Sequence, residues 1–179
     1  MITRRSLMRG GGALAAALLI PRSITAAEDV VVIEMRSDPH GSHVSFDPIG
    51  VLIRPGQTVR WVCRSNVHTA TAYHPKNSGH SLRIPEGAEP WDSKYLLPDQ
   101  VFEVRLTVEG VYDYFCLPHE MAGMVGRIIV GKPGGPATLP FDYFRDDPGK
   151  RGWRVVPKAA QGAFPGIDAI MKAGRVSAS

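Results

Sequence analysis

The sequence has few cysteines, no long apolar run and little net charge beyond its first segment. Its 179 residues include two cysteines, Cys63 and Cys116, which can form at most one disulfide. The apolar run of residues 13–20 is too short to span a bilayer, so no transmembrane span is expected in the mature chain. Because 44% of the residues are hydrophobic, the chain can bury a full core, and we expect one globular domain plus extensions.

The first 27 residues have the features of an export signal. Residues 1–27 contain four arginines and no acidic residue, and small residues at positions 25–27 follow the apolar run. This order is typical of a secretory signal peptide. The adjacent Arg4 and Arg5 favour the twin-arginine type, and an ordinary signal with a chance arginine pair is the alternative. Either signal predicts a mature protein outside the cytoplasm, in the periplasm or otherwise exported.

Charge is balanced once this segment is set aside. Residues 28–131 contain 13 acidic and 9 basic residues, and residues 132–179 contain 4 acidic and 8 basic residues. The pI of 9.3 is therefore mostly due to the signal, so composition does not support nucleic-acid binding. The opposite charges favour docking of the basic tail on the acidic domain, with Ile167, Ile170 and Met171 burying one side of a helix. A disordered tail is the alternative.

Short segments rich in β-branched and aromatic residues follow one another from residue 30 onward. They cover residues 30–35, 51–63, 68–73, 101–108, 111–116 and 125–131. Turn signals, rather than helical patterns, separate them, which favours an all-β, antiparallel sandwich. Residues 101–108, VFEVRLTV, alternate in polarity, so Phe102, Val104 and Leu106 are expected to face the core.

Two stretches interrupt this pattern. Residues 73–97 contain prolines and glycines without periodicity, which predicts an excursion on the surface. The extension of residues 132–179 begins with a linker-like stretch rich in proline and glycine. One short helix is predicted near residues 165–173, with Pro165 at its start and Gly174 just past its end.

One loop combines side chains that bind soft metal ions. In YFCLPHEMAGM, residues 114–124, Cys116 ends a predicted strand, His119 follows three residues later and Met124 five residues after that. Another predicted strand supplies a second imidazole, His68. Two histidines and one cysteine in a plane, with a weak axial methionine, define a blue-copper site for electron transfer. The sequence therefore predicts one type 1 copper ion with four ligands: His68, Cys116, His119 and Met124.

Two segments resemble the plastocyanin-like cupredoxins. Residues 110–126, GVYDYFCLPHEMAGMVG, resemble the last ligand loop of that family, and residues 54–68, RPGQTVRWVCRSNVH, resemble the segment that leads to its first histidine ligand. By matching position, the resemblance gives the same four ligands. It implies a cupredoxin-like, antiparallel Greek-key β-sandwich over residues 28–131. Thr69 departs from the family, which often has asparagine there, and the extension is expected to have no counterpart in the small cupredoxins.

Alternatives stay open for several of these residues. Cys116 could form a disulfide with Cys63, which is otherwise expected to be a small buried thiol. Met121 could replace Met124 as the axial ligand, although it lies only two residues after His119. Four further histidines could form a second metal site or lie solvated in loops: His40, His43, His74 and His80.

The predicted site excludes several classes of copper protein. A binuclear centre would need a second cysteine at position 120, which is Glu120. Transfer to another copper ion would need a histidine beside Cys116, whose neighbours are Phe115 and Leu117. Because four protein ligands leave no position for a substrate, the protein is not predicted to be an enzyme.

An exported one-electron carrier that cycles between Cu(I) and Cu(II) is the predicted function. A copper storage or delivery protein is the alternative. In the family that the sequence resembles, the electron leaves through the exposed edge of the second histidine, here His119. Redox donor and acceptor proteins are therefore expected to dock near His119, on an apolar surface supplied in part by Leu117, Pro118, Met121 and Ala122.

Overall fold

The computed structural model describes residues 30–178. The strands are β1 (Val30–Ser37), β2 (Val44–Asp47), β3 (Gly50–Ile53), β4 (Gln57–Cys63), β5 (Thr71–Ala72), β6 (Val101–Leu106), β7 (Gly110–Phe115), β8 (Val125–Val130) and β9 (Arg175–Val176). The helices are α1 (Lys158–Ala163) and α2 (Ile167–Ala173), with 3-10 helices at Leu117–Ala122, Pro136–Thr138 and Pro148–Lys150. The predicted signal peptide, residues 1–27, lies outside the described residues. No helix between residues 30 and 178 is long and apolar enough to cross a membrane.

The strands form two sheets, which confirms the predicted β-sandwich. One sheet has the order β2-β1-β4-β6 and the other the order β5-β7-β8-β3-β9. Most neighbours are antiparallel as predicted, but β1 pairs with β4 and β3 pairs with β8 in parallel. Both sheets are therefore mixed. Parallel neighbours need a crossover between them, and a local pattern of apolar residues does not reveal which strands those are.

Alternating side chains on the central strands fill the space between the sheets. On β4, Val59, Trp61 and Cys63 are fully buried at every second position, as the two-residue period of a strand requires. On β6 the predicted inward set packs against this core, and the intervening side chains are exposed. The ring of Trp61 meets the ring of Tyr114 edge-on, 5.3 Å between centroids. Since Tyr114 lies on the opposite sheet, this aromatic contact joins the two layers.

The sandwich brings two distant segments together at one end. β7 ends directly before Cys116, and β4 ends five residues before His68. The chain that follows His68 becomes β5, and there Thr71 pairs with Phe115 of β7. The strand pairing therefore places His68 beside Cys116, although 48 residues separate them.

The extension contains more regular structure than predicted. α2 occupies the predicted helix position and ends at Gly174, whose φ of 72° is the left-handed conformation that favours glycine at a helix end. α1 is only six residues long, too short to give a periodic signal. Ile170 is fully buried and Ile167 packs beside it, whereas Met171 is exposed. β9 then pairs with β3, so the extension adds a strand to the sandwich.

A buried charge cluster ties the extension to the sandwich. Asp113 of β7 is fully buried and accepts hydrogen bonds of 2.7–3.1 Å from the guanidinium groups of Arg83 and Arg127. Arg83 also donates to the backbone oxygen of Ala137 at 2.8 Å, and Arg127 donates to that of Pro165 at 2.9 Å. Two domain arginines thus hold backbone oxygens of the extension.

These contacts differ from the predicted attraction between a basic tail and an acidic domain. Within the extension, Arg145 pairs with Asp142 and Lys150 pairs with Asp147. These basic side chains are therefore engaged with acids of their own segment, and such exposed pairs add little to stability. The contacts that cross to the sandwich include those of the buried domain arginines, the apolar face of α2, the pairing of β9 with β3 and the packing of Val156 and Ala160 on Phe115 and Val125.

The charge cluster leads to a first prediction. Asp113→Asn should lower the free energy of unfolding by about 3–5 kcal/mol, because it leaves two buried guanidinium groups without their anion. Asp142→Asn is the control, since it removes only an exposed ion pair and should change stability by less than about 1 kcal/mol. Urea denaturation measures both. Equal losses in the two variants would contradict the role given to the cluster.

Candidate metal centre

Three of the predicted ligands meet at one end of the sandwich. The Nδ1 atoms of His68 and His119 are 3.2 Å apart. The Sγ atom of Cys116 lies 3.6 Å from Nδ1 of His68 and 3.4 Å from Nδ1 of His119. Among residues 30–178, this is the one group of three or more histidine, cysteine or carboxylate side chains that is compact enough to share a metal ion.

The size and chemistry of this triangle fit copper. The point equidistant from the three atoms lies about 2.0 Å from each, close to the distances of about 2.0–2.1 Å for nitrogen and about 2.3 Å for sulfur at a first-row metal ion. Thiolate and thioether sulfur are ligands that Cu(I) prefers, and imidazole also suits Cu(II). The donor set therefore accepts both oxidation states of copper.

Burial distinguishes the two candidate methionines. Met124 is 1% exposed and belongs to the same buried cluster as Cys116, whereas Met121 is 73% exposed. Met124 thus lies on the inner side of the loop with the other candidate ligands. Met121 lies on the outer side, facing solvent.

Backbone hydrogen bonds close residues 116–124, the site loop, upon itself. The amide of His119 donates to the carbonyl of Cys116, the amide of Met124 to the carbonyl of His119, and the amide of Cys116 to the carbonyl of Met124, all at 3.0–3.1 Å. Gly123 has a φ of 82°, where a side chain would be strained. The loop's own backbone hydrogen bonds therefore fix the spacing of its three donor side chains.

Two contacts orient His68 from outside the site. Its backbone N–H and C=O pair with those of Leu96 at 3.1 and 2.8 Å, so the excursion of residues 73–97 holds its main chain. Its Nε2 atom lies 3.1 Å from Oγ of Ser37. The other ring nitrogen, Nδ1, faces Cys116. Nδ1 is available to a metal ion when Nε2 carries the ring hydrogen and donates it to this hydroxyl.

Thr69 joins the two ligand segments. Its backbone N–H points at Sγ of Cys116 at 3.3 Å, and its hydroxyl accepts the N–H of Leu117 at 2.8 Å. The same hydroxyl lies 2.9 Å from that of Thr71, which donates to Asp92. The threonine that departs from the asparagine of the resembling family therefore braces the site itself, through its hydroxyl.

Burial favours the neutral forms of the ionisable groups in the site. It lowers the pKa of His68 to about 4, with a further contribution from nearby His119, and it lowers the pKa of His119. It also raises the pKa of the Cys116 thiol to about 11. Both imidazoles are therefore ready to act as ligands at neutral pH, whereas a metal ion must displace the thiol proton.

The other candidate residues do not form a second metal cluster within residues 30–178. His40 and His43 are exposed and His74 is half-buried. His80 is 1% exposed, so its interpretation as a solvated loop residue is wrong. Cys63 is a buried free thiol, which confirms the prediction made for it.

Sequence reasoning missed two supporting residues. Ser37 precedes His68 by 31 residues, and no local pattern connects them. Glu120 lies inside the predicted ligand loop but is buried, and its partners Tyr73 and His80 lie 47 and 40 residues earlier. A carboxylate next to exposed residues gives no signal in the sequence that it faces inward.

The fold and the site together define the class of this protein. A two-sheet β-sandwich in which two histidines and one cysteine are close enough to share a metal ion, with Met124 buried on the same loop, is typical of a cupredoxin with a type 1 copper site. The family model for copper binding proteins of the plastocyanin/azurin family matches residues 32–131. The chain belongs to this family, and copper is its cofactor.

Individual relatives agree with this assignment. The pseudoazurin of Methylorubrum extorquens is 30% identical over 117 residues, which cover 64% of this chain and 71% of the relative. The plastocyanin of Synechococcus sp. is 36% identical over 129 residues, covering 70% and 87%. The solved structure of a pseudoazurin from Sinorhizobium aligns with a TM-score of 0.52 and 28% identity, covering 81% of this chain and 98% of that one.

These relatives confirm the predicted resemblance and the predicted class of activity. Pseudoazurin and plastocyanin are electron carriers rather than enzymes, so the chain is a type 1 copper electron-transfer protein. One expectation about the extension is wrong. Residues 32–131 make up little more than half of the chain, so a structural match over 81% of it includes part of residues 132–178. The extension therefore has a counterpart in another cupredoxin.

The bracing role of Thr69 can be tested with an isosteric substitution. Thr69→Val should lower the free energy of unfolding by about 1 kcal/mol, because the N–H of Leu117 loses its acceptor. The visible spectrum of the copper protein should also change, since the two ligand segments lose a cross-link. Thr107→Val, at an exposed position, is the control. A Thr69→Val protein with unchanged stability and spectrum would show that this hydroxyl does not brace the site.

Proposed function

We propose that one copper ion is held by His68, Cys116, His119 and Met124 and carries one electron between redox partners. The observation that supports this most is the triangle of two Nδ1 atoms and one Sγ atom with sides of 3.2–3.6 Å. Copper supplies the redox chemistry, since it takes up and releases one electron as Cu(II) and Cu(I). The protein supplies the geometry in which this happens.

The ligands are held so that they need little rearrangement when the electron moves. The site loop is closed by three backbone hydrogen bonds, and His68 is oriented by Ser37 and Leu96. The N–H of Thr69 donates to the Cys116 sulfur, and a hydrogen bond to the thiolate tunes the reduction potential. Because these hydrogen bonds hold the ligands from outside the site, one ligand geometry is kept for both Cu(I) and Cu(II).

The proposed path for the electron leads through His119. His68, Cys116 and Met124 are buried, whereas His119 is partly exposed. Leu117 and Met121, on the same loop, are 41% and 73% exposed. Exposed apolar side chains around a polar centre are typical of a surface that binds a partner. We therefore place the docking site of the redox donor and acceptor around His119.

The geometry favours a carrier over a storage or delivery protein. A protein that hands over copper needs a site that opens readily. Here Cys116 and His68 are fully buried, and Met124 is 1% exposed. The hydrogen bonds described above also hold the donors in place. Such a closed set of four donors suits a copper ion that remains bound during electron transfer.

Export is also part of the proposal. Its support is the order of charged, apolar and small residues in residues 1–27, together with Arg4 and Arg5. We infer that the mature protein works outside the cytoplasm, in the periplasm if the producing cell has one.

The two cysteines provide the decisive test of the site. Cys116→Ser should abolish the intense visible band that arises from charge transfer between thiolate and Cu(II), because serine cannot supply a soft sulfur donor. Cys63→Ser should keep this band, since Cys63 is a separate buried thiol. The measurement is the absorption spectrum of folded, copper-loaded protein. Loss of colour in both variants, with both still folded, would refute the assignment.

The two methionines test the axial position in the same way. Met124→Leu should retain copper and colour but raise the reduction potential, because loss of a weak thioether donor disfavours Cu(II). Met121→Leu should have little effect, since this side chain faces solvent. Cyclic voltammetry of both variants measures the difference. If Met121→Leu alone shifted the potential, Met121 would be the axial ligand.

A further inference from the structure

We propose that Glu120 positions the site loop for electron transfer, and that Tyr73 and His80 hold Glu120 in place. Position 120 lies between His119 and the exposed Met121, yet the Glu120 side chain turns inward and is only 6% exposed. The inference rests on the ligand set proposed above, because it concerns the loop that carries three of those ligands.

Both carboxylate oxygens of Glu120 have buried partners. The hydroxyl of Tyr73 donates to Oε1 at 2.7 Å, and Nε2 of His80 lies 3.1 Å from Oε2. On the other side of the His80 ring, Nδ1 lies 2.8 Å from the backbone oxygen of Asn77. A carbonyl oxygen only accepts, so Nδ1 carries a hydrogen, and one more hydrogen lies between Nε2 and Oε2. Glu120 therefore cannot rotate without breaking a buried hydrogen bond.

The same network contacts the other half of the site. The ring of Phe115, the residue before Cys116, packs on His80 at 4.4 Å and on Tyr73 at 4.5 Å between centroids. Tyr73 and His80 thus support the neighbour of one proposed ligand through ring packing and the neighbour of another, His119, through Glu120. A displacement of this network would move both ends of the segment between Cys116 and His119.

The excursion of residues 73–97 and the extension both support the network of Glu120, Tyr73 and His80. The side chain of Asn77 donates to the backbone oxygens of Ala72 and Trp91 at 2.8 and 3.0 Å, which fixes the turn before His80. Arg154 of the extension pairs with the backbone on both sides of His80. The excursion and the extension therefore act together to keep His80 in contact with Glu120.

Stability alone does not account for a buried glutamate at this position. Replacing buried polar pairs with apolar side chains of similar volume is often neutral or stabilising. A carboxylate with two fixed partners restricts the orientation of the site loop, because it joins Glu120 to both Tyr73 and His80. Groups that hydrogen-bond to metal ligands orient them and change activity by about 10–100-fold when they are lost. Glu120 acts one step further out, through the backbone that it shares with His119, so an effect near the lower end of this range is expected.

The test uses the full, copper-loaded chain with alanine and glutamine at position 120. Glu120→Ala should slow electron self-exchange between the Cu(I) and Cu(II) forms by about 10-fold and shift the visible and electron paramagnetic resonance spectra of Cu(II). Glu120→Gln should restore most of the rate and the wild-type spectra, because the amide oxygen can accept from Tyr73 while the amide N–H donates to Nε2 of His80. A purely structural role would lower the melting temperature without these changes.

Leu106→Ala is the matched control. Leu106 is buried, and it pairs with the start of β4, whereas the site lies beyond the other end of that strand. It should lower the melting temperature but leave the self-exchange rate and the spectra at their wild-type values. Tyr73→Phe, which removes one hydrogen bond and keeps the ring, should slow self-exchange less than Glu120→Ala, and it decides the question if Glu120→Ala does not fold.

The possible failures can be told apart. A wild-type protein without the thiolate-to-copper band would overturn the proposed ligand set. A wild-type protein with this band, combined with unchanged spectra and self-exchange rates in Glu120→Ala, would overturn the positioning role alone. If Glu120→Ala is unfolded, an unchanged rate in Tyr73→Phe has the same meaning.

Discussion

Two imidazole nitrogens and a sulfur atom face one another at 3.2–3.6 Å. When the lone pairs that would bind a metal ion all point inward, they repel one another. The arrangement therefore has to be imposed by bonds on the far side of each group. Ser37 binds the outer nitrogen of His68, the site loop closes on its own backbone, and Thr69 links the two segments.

Much of the site could be predicted from sequence because its donors occur at short spacings. Cys116, His119 and Met124 lie within nine residues. The need for a second imidazole from another strand indicated His68, and the resemblance to cupredoxins gave the same residue. The β-sandwich followed from alternating strands such as β6. The parallel pairing of β1 with β4 and of β3 with β8 did not follow, because the alternation within a strand is the same whichever neighbour it pairs with.

The groups that hold the donors were far less predictable, for a physical reason. Ser37, Tyr73 and His80 lie 31 to 47 residues from the residues that they contact. The sequence around a hydroxyl or an imidazole does not indicate which distant residue it will contact. The same holds for Arg83 and Arg127, whose charges suggest solvent until the fold buries them around Asp113. Total charge suggested that the extension docks, but buried hydrogen bonds and the apolar face of α2 determine how it docks.

In an electron carrier, one ligand has to be both accessible to a partner and fixed in position. On the proposed path, the electron crosses to a partner at His119, which therefore has to approach the surface, and a side chain near the surface has fewer packed neighbours to hold it. Here the residue after it, Glu120, turns inward and is held by Tyr73 and His80, while Leu117 and Met121 turn outward. The loop therefore has a solvent-facing side available to a partner and an inner side fixed to the scaffold. The excursion of residues 73–97 supplies both Tyr73 and His80, and the extension supports His80 through Arg154. Two segments distant in sequence from the site loop therefore hold His119, the proposed ligand nearest the surface, in place.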